Sequence, residues 1–188
     1  MRTTIAILDL AHHGTTMLAG CYEILGVPMV GLGLQAKRME DPLIIRALQD
    51  EHAFATVVAA RSHRAWGFKY PGAWLYADLL GKYLVDPLYL AIYKDPVSVT
   101  WRRANGVSYK VLMNTIKQMK ESVAGIHRSG LPCHWLSYYR AITDPDTFVG
   151  HLVEIAGLDA DAEQMKQAID YIQPSAGYRG VEGPQCKW

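Results

Sequence analysis

Residues 3–25 read TTIAILDLAHHGTTMLAGCYEIL, and this stretch decides the fold. Its beginning, residues 3–10, is mostly β-branched and aliphatic with one charge, a pattern that predicts a strand buried on both faces. A short turn follows and ends at Gly14, and from Thr15 onward the apolar side chains fall on one stripe of a helix. The first N–H groups of a helix lack partners within it, and its dipole favours negative charge there. Strand, turn and helix together therefore predict an anion-binding cradle.

The glycine turn does not carry the lysine of a nucleoside triphosphatase. A Walker A loop reads G-x-x-x-x-G-K-[ST], and that pattern aligned on Gly14 puts Asp9 at its first glycine and Thr15 at its lysine. The side chain that would reach the β- and γ-phosphates is therefore missing. This disfavours a nucleotide or nucleoside kinase, and an ordinary strand–helix turn without a ligand remains an alternative.

Composition and charge predict one globular domain over residues 1–188. Of these residues 50% are hydrophobic and 20% are charged, which is enough for an ample core. The net charge of +1 predicts neither nucleic acid nor a membrane surface as a partner. We also expect no membrane span, because no apolar run is long enough, and no signal peptide, because the N-terminus enters a strand directly.

The cysteines and histidines predict a reduced compartment and no metal site. Cys21, Cys133 and Cys186 lie far apart and form no C-x-x-C pair, so we expect a cytoplasmic protein without a disulfide framework. His12 and His13 are adjacent, a spacing that rarely chelates one ion, and no third ligand is spaced for it.

The rest of the chain alternates strand-like and helix-like segments. We predict strands over residues 66–69, 88–93 and 133–138, and helices over 42–60, 73–83, 97–127 with a break near 105–106, 145–156 and 160–172, followed by a loop from 174. Such alternation predicts an α/β fold with a mainly parallel sheet and helices on both faces. Ligands of such sheets bind at the carboxyl ends of the strands. The glycine turn, Lys69 and Lys94 are predicted to lie at such ends.

The turn resembles the phosphosulfate loop of sulfotransferases, which is usually written P-[KR]-[ST]-G-T-[ST]. Gly14, Thr15 and Thr16 match the last three positions. The first three positions are occupied by Ala11 for the proline, His12 for the basic residue and His13 for the small hydroxyl residue.

Four further segments match the same family in the same order along the chain. Residues 39–48, MEDPLIIRAL, are similar to the F-E-[DN]-x-x-[IL]-[VI]-x-[LA]-[ND] segment of bacterial sulfotransferase-like proteins. Residues 66–71, WGFKYP, are similar to W-[GV]-x-K-[DE]-P, and residues 90–99, LAIYKDPVSV, to the strand and R-[DN]-P element that holds the donor's 3′-phosphate. A Y-[ED]-x-x-x-x-[DN]-P element is matched at Tyr138, Asp144 and Pro145, with Tyr139 in place of the acid. The resemblance covers most of the chain and implies a three-layer fold of the P-loop type.

This resemblance implies a sulfotransferase. Its donor would be 3′-phosphoadenosine-5′-phosphosulfate (PAPS), used as a co-substrate without a metal, and its acceptor a hydroxyl or amine of a small molecule or glycan. Residues matched to the donor site are His12, His13, Gly14, Thr15, Thr16, Lys94 and Arg102, the last two facing the 3′-phosphate. The implied catalytic residues are Glu40 as general base, His12 as the group that stabilises the leaving charge, and Lys69 as a contact to the sulfuryl group or the acceptor.

Departures from the family pattern support a second reading. A neutral imidazole at His12 holds an anion less firmly than a fixed cation would. Lys94 replaces the family arginine, so a guanidinium with two parallel donors is replaced by a single ammonium charge. Arg102 occupies the position of an expected serine. The alternative is a catalytically inactive protein of the sulfotransferase fold that serves as a nucleotide-binding or interaction module.

Individual residues also have structural interpretations. Glu40 could be a helix-start carboxylate, Lys69 a solvated charge at a strand end, and Lys94-Asp95-Pro96 a simple strand exit. The chain has little room for a separate acceptor domain, so we expect an acceptor groove that is either shallow or completed by the second subunit of a homodimer.

Overall fold

The computed structural model describes residues 3–8, 13–29, 40–61, 65–104 and 108–172, without the side chains of 102–104. In these ranges a four-stranded, all-parallel sheet has the strand order β2-β1-β3-β4. The strands are β1 (Thr4–Leu8), β2 (Trp66–Lys69), β3 (Pro87–Tyr93) and β4 (Cys133–Ser137).

Helices connect the strands and cover the sheet. They are α1 (Thr15–Ile24), α2 (Pro42–Ala47), α3 (Glu51–Ala59), α4 (Ala77–Tyr83), α5 (Pro96–Ala104), α6 (Tyr109–Arg128), α7 (Tyr138–Thr143), α8 (Pro145–Ala156) and α9 (Ala162–Ile172), with a 3-10 helix at Ala73–Tyr76 ahead of α4. Over the described ranges, no helix is both long and apolar enough to cross a bilayer.

The two faces of β1 separate two cores, as expected of a strand that is apolar throughout. Ile5 and Ile7 pack into a core that draws most of its other residues from α1, β3, α8 and α9. Ala6 and Leu8 pack into the other, which is built largely from α2, α3, β2 and the residues around α4. Every residue of β1 is buried. The predicted α/β fold, three layers with a parallel sheet between helices, is therefore confirmed.

Several helices begin where a polar side chain accepts a hydrogen bond from a first-turn N–H group, the usual N-terminal cap. These caps also explain why some predicted boundaries moved. Ser137 accepts from the N–H of Arg140 at 3.2 Å, so β4 ends there and Tyr138 starts a helix instead of ending a strand. Asp161 accepts from the N–H of Gln164 at 2.8 Å, which starts α9 two residues later than predicted.

The predicted helical region 42–60 divides into two helices. Asp50 accepts from the N–H of Ala53 at 2.8 Å and starts α3 afresh after α2 has ended. The predicted strand over residues 3–10 is observed as Thr4–Leu8. Residues 9–10, the predicted break near 105–106 and the predicted loop from 174 lie outside the described residues.

Candidate functional site

All four strands end at the same edge of the sheet, because they are parallel. β1 leads towards the glycine turn, Lys69 is the last residue of β2, and Lys94 directly follows β3. Tyr138 directly follows β4. The sequence predicted the first three of these positions at a carboxyl edge, and the register brings the fourth beside them.

The glycine turn presents the start of α1 without a side-chain cap. Gly14 is the capping residue and has a left-handed backbone with φ of 107°. Its carbonyl accepts from the N–H of Leu18 at 3.0 Å, while Thr15 and Thr16 open the first turn, which contains no acidic side chain. The N–H groups without a side-chain cap and the helix dipole make this an electropositive position that suits an anion.

Gly14 is also required by its contact with Tyr138. A Cβ atom built on Gly14 would lie 2.5 Å from Cδ2 of Tyr138 and 3.6 Å from Cδ1 of Ile92. Only glycine combines the left-handed backbone with such a close approach. The first obstacle to a side chain at position 14 is therefore the ring of Tyr138.

Lys69 links two other predicted site residues. Its Nζ lies 3.0 Å from Oε1 of Glu40 and donates to Oγ1 of Thr16 at 3.3 Å. The lysine is 3% exposed and Glu40 is 22% exposed. The interpretation of Lys69 as a solvated strand-end charge is therefore wrong. A buried ammonium is costly unless it is paired, and here a carboxylate and a hydroxyl at the start of α1 surround it.

The adjacent carboxylates Glu40 and Asp41 have different partners. Asp41 accepts from the N–H of Leu43 at 2.8 Å and so caps α2, and it forms an ion pair with Arg61 at 3.0 Å. The capping role that sequence alone allowed for Glu40 therefore falls to Asp41. Asp41 anchors the backbone next to Glu40 while the Glu40 carboxylate reaches towards Lys69.

A tyrosine near this pair stays neutral. Burial, followed by the neighbouring Tyr76 and Glu40, raises the pKa of the Tyr70 phenol above its usual value. At neutral pH Tyr70 is therefore a hydrogen-bonding phenol and adds no charge to the surroundings of Glu40.

Lys94 lies on the other side of the glycine turn, against an aromatic ring. Its Nζ is 4.5 Å from the ring centroid of Tyr138. The next residue, Asp95, accepts from the N–H of Ser98 at 2.8 Å and holds the start of α5. Burial disfavours the charged form of Asp95, but the hydrogen bonds from Ser98 and the charge of Lys94 outweigh it and lower its pKa.

The remaining predicted donor-site residues are His13, His12 and Arg102. His13 is 1% exposed, and its ring lies edge-on to Tyr93 with the centroids 6.2 Å apart. His12 and the side chain of Arg102 lie outside the described residues. Their roles stay predictions. In the described part of the chain, no three His, Cys, Asp or Glu side chains are grouped closely enough to hold a metal ion.

Sequence reasoning missed one residue that contacts two parts of the site. Tyr138 touches both Lys94 and the glycine turn, although the sequence presents it only as a match to a family pattern. The signal was its position at the carboxyl end of the strand predicted over residues 133–138. That signal becomes informative only once β4 is known to lie next to β3.

Comparisons with known proteins relate this architecture to one group of structures. No protein-family model matches the sequence, and no curated protein sequence matches it either. The structure is similar to a sulfotransferase domain from the Synechococcus PCC 7002 olefin synthase (TM-score 0.60, 15% identity, 97% of this chain and 81% of that one). It is also similar to the sulfotransferase STF1 from Mycobacterium tuberculosis H37Rv (TM-score 0.60, 13% identity, 90% and 71%).

A third similar structure was solved with a nucleotide. Mouse sulfotransferase SULT7A1, complexed with PAP, has a TM-score of 0.55 and 11% identity, and the match covers 90% of this chain and 64% of the mouse chain. Identities this low establish only the fold. From its topology and these likenesses, the chain has the fold of the sulfotransferase family.

Proposed function

We propose that this protein is a PAPS-dependent sulfotransferase that acts on a hydroxyl or amine of a small molecule or glycan. The observation that carries the proposal is the series of contacts from Glu40 through Lys69 to Thr16 at the start of α1. In a chain with the sulfotransferase fold, this places a carboxylate, a cation and a helix N-terminus within one short distance of each other.

The described residues fit an anionic donor. The turn at Gly14 offers first-turn N–H groups, Lys69 supplies a buried positive charge beside them, and Lys94 supplies a half-buried positive charge against the ring of Tyr138. These are the groups that bind phosphate and sulfate in proteins. The PAP bound to mouse SULT7A1 supports the choice of nucleotide.

The proposed reaction is a displacement governed by positioning and electrostatics. PAPS would supply the activated sulfuryl group. Glu40 would accept the proton of the acceptor hydroxyl or amine, Lys69 would balance the negative charge of the group being transferred, and the first turn of α1 would orient the phosphosulfate. His12 is proposed to stabilise the leaving charge, and Lys94 and Arg102 to bind the 3′-phosphate.

A second candidate function is favoured by the same ion pair. Lys69 engages Oε1 of Glu40 at 3.0 Å, so the proposed base and the proposed sulfuryl contact neutralise one another in the free protein. A nucleotide-binding module without catalysis would keep such a pair permanently. In the enzyme, an incoming anion would have to draw Lys69 away from Glu40 before proton transfer.

Ligand binding and turnover separate these functions. The 3′,5′-bisphosphate nucleotide should raise the midpoint of thermal unfolding, and ATP with magnesium should raise it less. A ligand at about 100 times its dissociation constant adds about 2.7 kcal/mol of stability. Equal shifts for both, or a shift with ATP alone, would contradict donor-site binding. If the protein is the enzyme, Glu40→Gln should retain bisphosphate binding and lower sulfuryl transfer by about 10²–10⁴-fold. Tight binding without any transfer or slow donor hydrolysis would favour the module.

Three broader expectations belong to the same proposal. We infer that residues 1–188 act as a single domain, that the protein works in the cytoplasm, and that a homodimer completes the acceptor groove. The separated cysteines support a reduced compartment, and burial raises the pKa of Cys21 to about 12, which keeps that thiol protonated and unreactive.

A further inference from the structure

We propose that Tyr138 is a positioning residue of the nucleotide site, whose ring holds the ammonium group of Lys94 at a set place beside the glycine turn. This inference rests on the proposed function, in which Lys94 binds the 3′-phosphate. It assigns nucleotide discrimination to a pair of residues rather than to the lysine alone.

The strand register explains why the two side chains meet. β3 and β4 are neighbouring parallel strands in which Tyr93 is paired with Ser137, so Lys94 and Tyr138 each follow one step beyond that pair. The Nζ atom of Lys94 lies over the ring, 4.5 Å from its centroid. An ammonium within about 6 Å of an aromatic face is attracted by the negative potential of that face.

The same ring also lies against the turn. Cδ2 and Cε2 of Tyr138 lie 2.5 Å and 3.0 Å from the position that a Cβ atom on Gly14 would occupy. One edge of the ring therefore faces Gly14 while Lys94 lies over its face. The ring thus contacts both the ammonium group of Lys94 and the turn that starts α1. These are the two groups proposed to bind the two ends of a bisphosphate.

Holding the lysine in advance matters because its side chain is long and flexible. A free lysine loses rotamer freedom when it binds a phosphate, and that loss weakens binding. The ring of Tyr138 restricts the side chain before the nucleotide arrives. Loss of the ring should therefore weaken binding of nucleotides with a 3′-phosphate and leave those without one unchanged.

The test is a double-mutant cycle on the nucleotide ratio, defined as the dissociation constant of 5′-AMP divided by that of 3′-phosphoadenosine 5′-phosphate. Tyr138→Leu should lower this ratio by about two- to fivefold, the range expected for a cation–π contact. Tyr138→Phe keeps the ring and should leave the ratio unchanged. In a Lys94→Ala background, Tyr138→Leu should have no further effect, because the ring then has no ammonium to hold.

Two controls separate positioning from general damage. Tyr83 makes a similar contact, with Nζ of Lys82 5.1 Å from its ring centroid, but it lies at the end of α4, ahead of β3 and away from the carboxyl edge. Tyr83→Leu should leave the ratio unchanged. If Tyr138→Leu fails to fold, a fluorinated phenylalanine introduced only at position 138 keeps the shape, weakens the ring's negative face, and should lower the ratio.

Each outcome has a definite meaning. If Lys94→Ala lowers the ratio but removal or fluorination of the ring at position 138 does not, the positioning role is refuted and the proposed function stands. An equal loss from Tyr138→Leu with and without Lys94 would also refute it, because the ring would then act independently of the lysine. If the unmodified protein binds no bisphosphate nucleotide, the proposed function fails and this inference fails with it.

Discussion

Replacing Glu40 with glutamine should destabilise the protein, because the change removes the ionic partner of a buried lysine. Breaking a fully buried ion pair costs about 3–5 kcal/mol, whereas an exposed pair contributes about 0–1 kcal/mol. Lys69 is 3% exposed and Glu40 is 22% exposed, so this pair lies nearer the buried limit. The glutamine can still accept a hydrogen bond from Lys69, and Thr16 still accepts one. We therefore expect a loss of about 2 kcal/mol in unfolding free energy.

Urea and thermal unfolding of Glu40→Gln measure this loss. For a chain of this length, 1 kcal/mol corresponds to about 2–4 °C in the midpoint, so we expect a decrease of about 4–8 °C. The matched control is Glu51→Gln, which removes the same charge from another Glu–Lys pair. Glu51 and Lys82 are 53% and 61% exposed, and their attraction is screened by water and salt, so the midpoint should hardly move.

The result that would refute the reasoning is a Glu40→Gln midpoint equal to that of the unmodified protein, or a decrease no larger than that of the control. A second arm uses the 3′,5′-bisphosphate nucleotide as an anion. It should stabilise Glu40→Gln more than the unmodified protein, because Lys69 is no longer neutralised by Glu40 and can pair with the ligand. Equal stabilisation of both proteins would mean that Lys69 does not face the nucleotide.

Three further predictions test the other side of the site. Lys94→Ala should weaken the 3′,5′-bisphosphate by about tenfold or more and hardly affect 5′-AMP, since a charge-assisted contact is worth about 1.5–3 kcal/mol, whereas Lys94→Arg should hold or improve affinity. If the ratio of the two nucleotide affinities, measured at one salt concentration, is the same in Lys94→Ala and the unmodified protein, Lys94 does not bind the 3′-phosphate and only ends a strand. Gly14→Ala should cost more stability than Gly130→Ala in urea unfolding. Both glycines have positive φ, but a Cβ at Gly14 would meet Tyr138 whereas one at Gly130 meets nothing within 4 Å, so equal losses would contradict the close contact. Asp95→Ala should remove a helix cap worth about 1 kcal/mol at neutral pH. Hydrogen bonds outweigh burial and lower the pKa of Asp95 in the folded protein. The cap therefore contributes its full stability above pH 3.8, the usual pKa of the carboxyl group, and loses it as the pH falls through the lowered pKa. Asp95→Asn should keep a cap that does not titrate.

Local patterns were enough to find most elements of the fold. β1 and β3 are short apolar runs bounded by polar or turn residues, and such runs are recognisable because a strand buried on both faces cannot alternate. The helix α7 was missed, and the other errors lay at boundaries, where a single side chain decides. Ser137 ended β4 one residue early by capping a helix, an interaction that an apolar pattern does not reveal.

The candidate site was predicted as separate pieces. The Gly14 turn, Lys69 and Lys94 each lie at the carboxyl end of a strand, so a parallel sheet was expected to gather them at one edge. Which pieces touch was not predictable. Lys69 and Thr16 are 53 residues apart in the chain and meet only because β2 pairs with β1.

The sequence by itself determined most of the strands and helices and the glycine turn that precedes α1, because these properties depend on residues a few positions apart. Only the tertiary structure decided the strand order, and with it the burial of Lys69 and the pairing of Lys94 with Tyr138. The cost of burying a charge depends on the neighbours that surround it, and those neighbours come from distant parts of the chain. For that reason Lys69 is indistinguishable in the sequence from a solvated lysine, whereas in the fold it is held between Glu40 and the start of α1.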